Sequence, residues 1–400
     1  MSAAGSTQPL LLAGLRIIAI EQYGAGPFGT QHLADLGAEV IKIENPHDGG
    51  DVGRAVGPYF FGPGDSHFYQ SFNRNKKSIT LDLKKPEGQE ALRRLAADAD
   101  VVFNNLRGDL PGKLGLTYAQ LKDVNPKIVC CHLSAYGRSG SRAAWPGYDY
   151  LMQAEAGYLS VTGEPDGPPA RMGLSIVDLM TGTTAAMGVL AGVLGARASG
   201  VGRDIDVSLF DVALHNLCYV ATWYENAGKA VGREKRSAHP SLTPSQLYKT
   251  RDGWIFIMCN KEKFWGVLAN CIGKPEWADA PQYRTFKDRL ANRDRLTEEL
   301  DAVLQTQTTE EWMKRFAGKV PAAPVYDVAQ ALESDFVAEQ ERVLEFDHAG
   351  GPVRMVASPV RAGAHPRQSA PAMGEHTEQI LRQAGYTEAQ VAGLRGAGVI

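Results

Sequence analysis

RIIAIEQYGAGPFGTQHLADLGAEVIKIE, residues 16–44, reads as a strand, a glycine-rich turn, a helix and a second strand. RIIAIE (16–21) and EVIKIE (39–44) are short β-branched runs, and GTQHLADLG (29–37) between them spaces its apolar residues at helical intervals. The same alternation continues outward. SITLDL (78–83), DVVFNN (100–105) and KIVCCHLS (127–134) are strand-like, with helical segments at GQEALRRLAADA (88–99) and TYAQLKDV (117–124) between them. Strands alternating with helices predict βαβ units and a parallel sheet covered on both faces, an α/β doubly wound, Rossmann-like large domain.

Further along, a long apolar helix is expected from about Leu179 to Ala198, then the strand-like RDIDVSLF (203–210) and a helix through Asn226. The first part of the large domain is therefore 10–226. Residues 227–241 are basic, glycine-containing and aperiodic, as a linker would be. A smaller α+β domain follows at 242–335, with a hairpin turning at Asp252-Gly253 and helices at 261–272, 286–305 and 308–318. Residues 336–400, with strand signals near 351–361 and helices at 375–384 and 387–396, are left to return and complete the large domain.

Composition narrows the functions open to such a chain. With 42 Lys+Arg against 45 Asp+Glu in 400 residues, the net charge of −3 gives no basic footprint for nucleic acid or an acidic membrane. The five cysteines form no CxxC pair, so neither a disulfide framework nor a zinc site is expected, and no other metal is. The first residues lack a basic region before their apolar stretch, so no signal peptide is expected. The most apolar segment, Thr183 to Ala196, is shorter than the roughly 20 residues that span a bilayer. A cytoplasmic protein is the expectation. The 43 glycines, without a G-X-Y period, point to tight turns and close backbone approaches.

Three segments could carry chemistry. Gly24-Ala25-Gly26-Pro27-Phe28-Gly29 spells GxGxxG after a strand, with Glu44 ending the next strand. A dinucleotide site would look like this, but Pro27 lacks an amide where a phosphate would want one, and a tight strand-to-helix turn explains the glycines equally. Asp178, in GLSIVDLMTG, stands at the mouth of the apolar helix. There it is either a plain N-cap or a nucleophile whose ionised form the helix dipole favours. In Pro146-Gly147-Tyr148-Asp149-Tyr150, Tyr148 could enter a cleft beside Asp178, or could simply pack while Asp149 caps a helix.

Taken together, AGP (25–27), LGAEVIKIE (36–44), GDVGRAVGP (50–58), FNRNKKSITLDLKKPEG (72–88), FNNLRGDLPGKLGL (103–116), GYD (147–149), DLMTG (178–182) and GEHTEQILRQAGYTEAQVAGLR (374–395) resemble the class III CoA-transferases. That family also holds the alpha-methylacyl-CoA racemases. The resemblance implies Asp178 as a nucleophile that forms acyl-anhydride and CoA-thioester intermediates. It implies no permanently bound cofactor, coenzyme A and acyl-CoA as substrates, and an interlocked homodimer. Racemases have His where this chain has Tyr148, a poor acid–base pair member, so the transferase branch is implied.

By the same resemblance, CoA contacts fall on Asn45, Leu81, Lys84, Asn105, Leu106 and Lys113. Asn45 and Lys113 stand where the formyl-CoA branch has arginines, Leu106 where it has an aromatic, and Gly24 where it has a glutamine. That branch's tetraglycine loop is missing between His239 and Gly253. These departures argue against formyl-CoA and oxalate. The segment HPSLTPSQLYKTRDG (239–253) looks like members acting on dicarboxylic or substituted short-chain acids, often with succinyl-CoA as donor. Arg54, Arg107 and Arg171 are then the available cations for an acceptor's second carboxylate.

Overall fold

The computed structural model describes residues 9–361 and 365–400, which form two units. The first unit comprises residues up to Ala156, Gly173–Cys218 and Glu341–Ile400. Its centre is a six-stranded sheet of β1 (Arg16–Ile20), β2 (Glu39–Glu44), β3 (Lys77–Thr80), β4 (Val101–Asn104), β5 (Val129–Ser134) and β6 (Arg203–Ser208). The strands are all parallel and run in the order β3-β2-β1-β4-β5-β6. Ile18 sits opposite Ile41 on one side and Val102 on the other, and all three are solvent-free. Their near-continuous apolar strands fit a sheet covered on both faces.

The chain leaves β1 toward β2 on one side and later returns to β4 on the other. A crevice therefore opens at the carboxyl ends of β1 and β4, the switch point where such folds take their ligands. Two helices frame it, α1 (Ala25–Asp35) and, after the shorter α2 (Pro86–Ala97) and α3 (Asp149–Glu155), α4 (Ile176–Ser199). α1 begins four residues before its apolar spacing becomes visible, inside the glycine-rich turn. The apolar run expected to be short is embedded in the 24 residues of α4, long and apolar enough to cross a membrane. Half of its most apolar stretch is buried, and the helix packs on α1, β5 and β6.

The second unit comprises Gly157–Met172 and Tyr219–Gln340. Its three-stranded antiparallel sheet pairs β8 (Trp254–Met258) with β7 (Ser245–Lys249) and β9 (Ala322–Pro324), over a core that includes Trp265, Tyr283, Leu300, Trp312 and Phe316. The boundaries differ from the expected ones in that this unit takes in 157–172 and 219–241 and ends at Gln340 rather than at 335. Residues 157–172, expected in the large domain, are tied to the stretch read as a linker: Arg233 donates to the Gly167 and Pro168 carbonyls, and the Arg236 amide to Glu164. The expected helix through Asn226 is broken at Cys218, which has φ +47, and the new unit starts directly after it. In the first unit, β10 (Val343–Phe346) and β11 (Val353–Val356) form a hairpin, and helices Thr377–Gln383 and Glu388–Gly396 bring the chain back onto the large sheet.

Candidate active site

Each glycine of GAGPFG makes room for a different neighbour. A Cβ on Gly24 would lie 2.6 Å from Asp178 Oδ2, and one on Gly26 would lie 2.8 Å from the Asn105 side chain. A Cβ on Gly29 would lie 2.5 Å from the Gly182 carbonyl oxygen of α4. The backbones of α1 and α4 thus touch at Gly29 and Gly182, and this crossing brings the start of α1 against Asp178. Packing between two helices and a carboxylate accounts for the motif, and no dinucleotide is needed to explain it.

Asp178 is neither the plain N-cap nor the dipole-favoured anion considered from the sequence. Ser175 is the N-cap of α4, and Asp178 lies inside the first turn. It is 7% exposed, and its carboxyl is pushed up to about 7, first by burial and then by the charge of Asp149. Desolvation outweighs the dipole here. Asp149 also fixes the backbone beneath it, because Asp149 Oδ2 accepts the Asp178 N–H at 2.9 Å while its Oδ1 accepts from Gln153 at 2.6 Å. So Asp149 is not the cap of its own helix, whose N-cap is Tyr148, but accepts a backbone N–H in the first turn of α4. GYD carried the signal for this residue, which the sequence reading left outside the site.

Asp178 opens into a cavity of about 510 Å³ lined by Gly24, Leu106, Arg107, Trp145, Tyr148 and Leu209, among others. Tyr148 is 62% exposed, and its ring meets that of Tyr23 edge-on at 6.4 Å. Burial, with Asp178 next in weight, raises the Tyr23 phenol above its ordinary value. A second cavity of about 280 Å³ is lined by Asn45, Leu81, Lys84 and Leu106, and shares Gln22, Leu106 and Leu110 with the first. The two adjoin along the carboxyl ends of β1, β2 and β4.

The predicted residues divide accordingly. Gly24, Tyr148 and Arg107 line the Asp178 cavity, and Asn45, Leu81 and Lys84 the second, while Leu106 faces both. Asn105 also lines the first, but its carboxamide is engaged with the backbone of Gln22, accepting from the amide at 2.9 Å and donating to the carbonyl at 2.7 Å. Lys113 pairs with Asp109 at 2.7 Å and lines neither cavity, and Arg107 shares that same carboxylate at 3.1 Å. Arg54 is not placed for a substrate acid. It is buried, forks onto Glu44 at 2.7 and 2.8 Å, and donates to Tyr69 and the Pro371 carbonyl. Arg171 belongs to the second unit, where its guanidinium donates to the Met172 carbonyl. Among the described residues no group of three or more His, Cys, Asp or Glu side chains is arranged to hold a metal ion.

The chain is 35% identical over 393 residues to the succinate–glutarate CoA-transferase of Agrobacterium fabrum, covering 93% of this chain and 95% of that one. It is 33% identical to the succinyl-CoA:glutarate CoA-transferase of Homo sapiens, over 97% of this chain and 90% of the human one. A crystal structure of a CaiB/BaiF family protein from Brucella suis superposes with a TM-score of 0.82 at 31% identity, over 94% of this chain and 100% of that one. The sequence pattern of CoA-transferase family III matches residues 12–377, and the chain belongs to that family.

Proposed function

We propose that this enzyme moves CoA from a succinyl-CoA-type donor to a short dicarboxylic or substituted carboxylic acid, with Asp178 as the nucleophile. The observation that carries the assignment is a buried carboxyl, raised to about 7, lying under a glycine at the floor of a cavity. The glutarate transferases it resembles support the substrate class. In this scheme the Asp178 carboxylate adds to the thioester carbonyl and expels CoA thiolate, leaving an aspartyl acyl anhydride. The thiolate attacks the aspartyl carbonyl, releases the donor acid and leaves an aspartyl-CoA thioester. The acceptor carboxylate then adds to the aspartyl-CoA carbonyl and expels CoA thiolate, forming a second anhydride, and the thiolate attacks the acceptor's acyl carbon, giving the new acyl-CoA and restoring the Asp178 carboxylate.

One thioester replaces another, so no outside energy is required. The protein's contribution is to hold the groups and to keep water from the anhydrides. The first amides of α1 have no acceptor within the helix and begin beside Asp178, where charge develops on the carbonyl oxygen. CoA is assigned to the second cavity, with its thiol end reaching Asp178 past Leu106 and Leu110. Of the three arginines considered for the acceptor's far carboxylate, Arg107 is the one lining the Asp178 cavity. The reading extends to a homodimer, supported by exposed apolar side chains on both units, among them Met187 and Leu194 on one and Tyr219, Trp223 and Val328 on the other.

The test is a mass-spectrometric screen of the enzyme with succinyl-CoA against mono- and dicarboxylic acids. New CoA thioesters of dicarboxylic acids are expected, and none with Asp178→Ala. Turnover retained by that variant removes Asp178 as nucleophile, and transfer confined to monocarboxylic acids removes the proposed acceptor class.

A further inference from the structure

We infer that Asp51 is a positioning residue for this reaction: its buried carboxylate locks the Tyr23 peptide in a left-handed conformation and so holds the Gln22–Gly24 turn against Asp178. The inference rests on the reading of Asp178 as nucleophile. Tyr23 has φ +69, a region an L-residue with a bulky side chain rarely enters unless its surroundings impose it. The imposing group is identifiable. The Tyr23 N–H donates to Asp51 Oδ1 at 2.8 Å, and that same oxygen accepts the Gly53 N–H at 2.7 Å.

The other Asp51 oxygen lies 2.7 Å from Lys42 Nζ, with both side chains shut off from solvent. Lys42 in turn donates to the Glu21 carbonyl at 2.9 Å. A loop of contacts therefore closes around the turn, from residue 21 through Lys42 and Asp51 to residue 23. Asn105 holds the intervening residue, Gln22, at both its amide and its carbonyl. The Gln22 carbonyl and the Tyr23 N–H lie on one peptide plane, so Asn105 and Asp51 hold that plane from its two edges, and Asp51 ties it to buried Lys42.

The consequence reaches the nucleophile through one residue. Gly24 follows Tyr23, and its backbone is the surface against which Asp178 Oδ2 rests, as the 2.6 Å approach of a hypothetical Cβ shows. If Tyr23 relaxed to a negative φ, the chain direction at Gly24 would turn and that surface would move. Asp51 needs no contact with a reacting atom to set this geometry.

The decisive comparison is Tyr23→Gly against Tyr23→Ala in two backgrounds. Both remove the ring, but only glycine adopts φ near +69 without restraint. With Asp51 present, the two variants are expected to have kcat within about threefold of each other. With Asp51→Ala, kcat should fall about a hundredfold from wild type, the scale of an ångström-level misplacement, with KM for both substrates within about threefold. In that background the glycine variant should exceed the alanine variant by about tenfold.

A kcat of Asp51→Ala close to wild type overturns the inference, and so does a glycine-to-alanine ratio that is the same in both backgrounds. If Asp51→Ala does not fold, the glycine-to-alanine ratio is read in Asp51→Leu, which fills the space without an acceptor: a ratio unchanged from that with Asp51 present overturns the inference, and a raised one supports it. Asp178→Asn assayed alongside separates the two readings. Continued CoA transfer by that variant removes the nucleophile, whereas an inert Asp178→Asn with an undisturbed Asp51→Ala removes only the positioning role.

Discussion

Asp178 concentrates the conflict between stability and chemistry in one side chain. Its carboxyl titrates at about 7 in the folded chain against an ordinary 3.8, so the folded state binds more protons than the unfolded state between those pH values. Stability from this group is therefore present at low pH and lost as pH rises through the window toward 7. At about 1.4 kcal/mol per pH unit, the full loss is on the order of 4 kcal/mol. Asp178→Asn, which has no charge to bury, should melt above wild type at pH 8 and converge with it near pH 4, as read by thermal scans across pH. Activity runs the other way under the proposed mechanism, in which the anion attacks the thioester: kcat/KM should rise about tenfold per unit below pH 7 and level off above it. A profile already flat at pH 5 would contradict the raised carboxyl. Gly24→Ala tests the same spot from the other side. Gly24 has φ −102, which any residue can adopt, so only the clash with Asp178 forbids a methyl group. A loss of kcat of at least tenfold is expected, with the fold intact by circular dichroism.

The crossing of α1 and α4 carries the turn and Asp178 together. Alanine in a helix interior ordinarily stabilises by about 1 kcal/mol over glycine. Gly195 on α4 has nothing within 4 Å of a would-be Cβ, and Gly195→Ala should show that gain in urea unfolding. Gly29→Ala should show the opposite sign, a loss of about 1–3 kcal/mol, because its methyl group would meet backbone of α4 rather than a movable side chain. The same contrast explains what could be read from sequence. The strands of the large sheet declared themselves through β-branched runs such as RIIAI and EVIKI, because burial on both faces demands such residues. The start of α1 did not, because glycines chosen for contacts with Asp178, Asn105 and Gly182 resemble turn residues until those partners are known. β9, Ala322–Pro324, has no strand-like composition and exists through its pairing with β8. Asp178 was legible from its motif, whereas the raised carboxyl, the role of Asp149 and the hold of Asp51 on Tyr23 depend on residues 28 or 29 positions away meeting in space.

At the scale of the whole first unit, the last residues of the chain support the cavity assigned to CoA. Val399 is fully buried in the cluster that includes Leu83, Leu92 and Leu394, and its carbonyl accepts the Asp82 N–H at 2.7 Å. The Gly398 carbonyl accepts from Lys85 at 3.0 Å and lies 2.8 Å from His47 Nε2. The turn 82–84 and Asn45, next to these anchors, line the second cavity, more than 300 residues away in sequence from the segment that braces them. Removing two methyl groups with Val399→Ala should cost about 1–3 kcal/mol in urea unfolding, as expected for a truncated buried side chain. The kinetic signature distinguishes support of the CoA cavity from a general loss of fold. With loosened walls around Lys84 and Asn45, KM for the acyl-CoA should rise several-fold, while kcat and KM for the acceptor acid stay within about twofold, because Asp178 and its turn rest on α1 and α4 instead. Equal rises in both KM values, or a fall in kcat alone, would mean that the chain end acts on the Asp178 cavity and not on the one beside it.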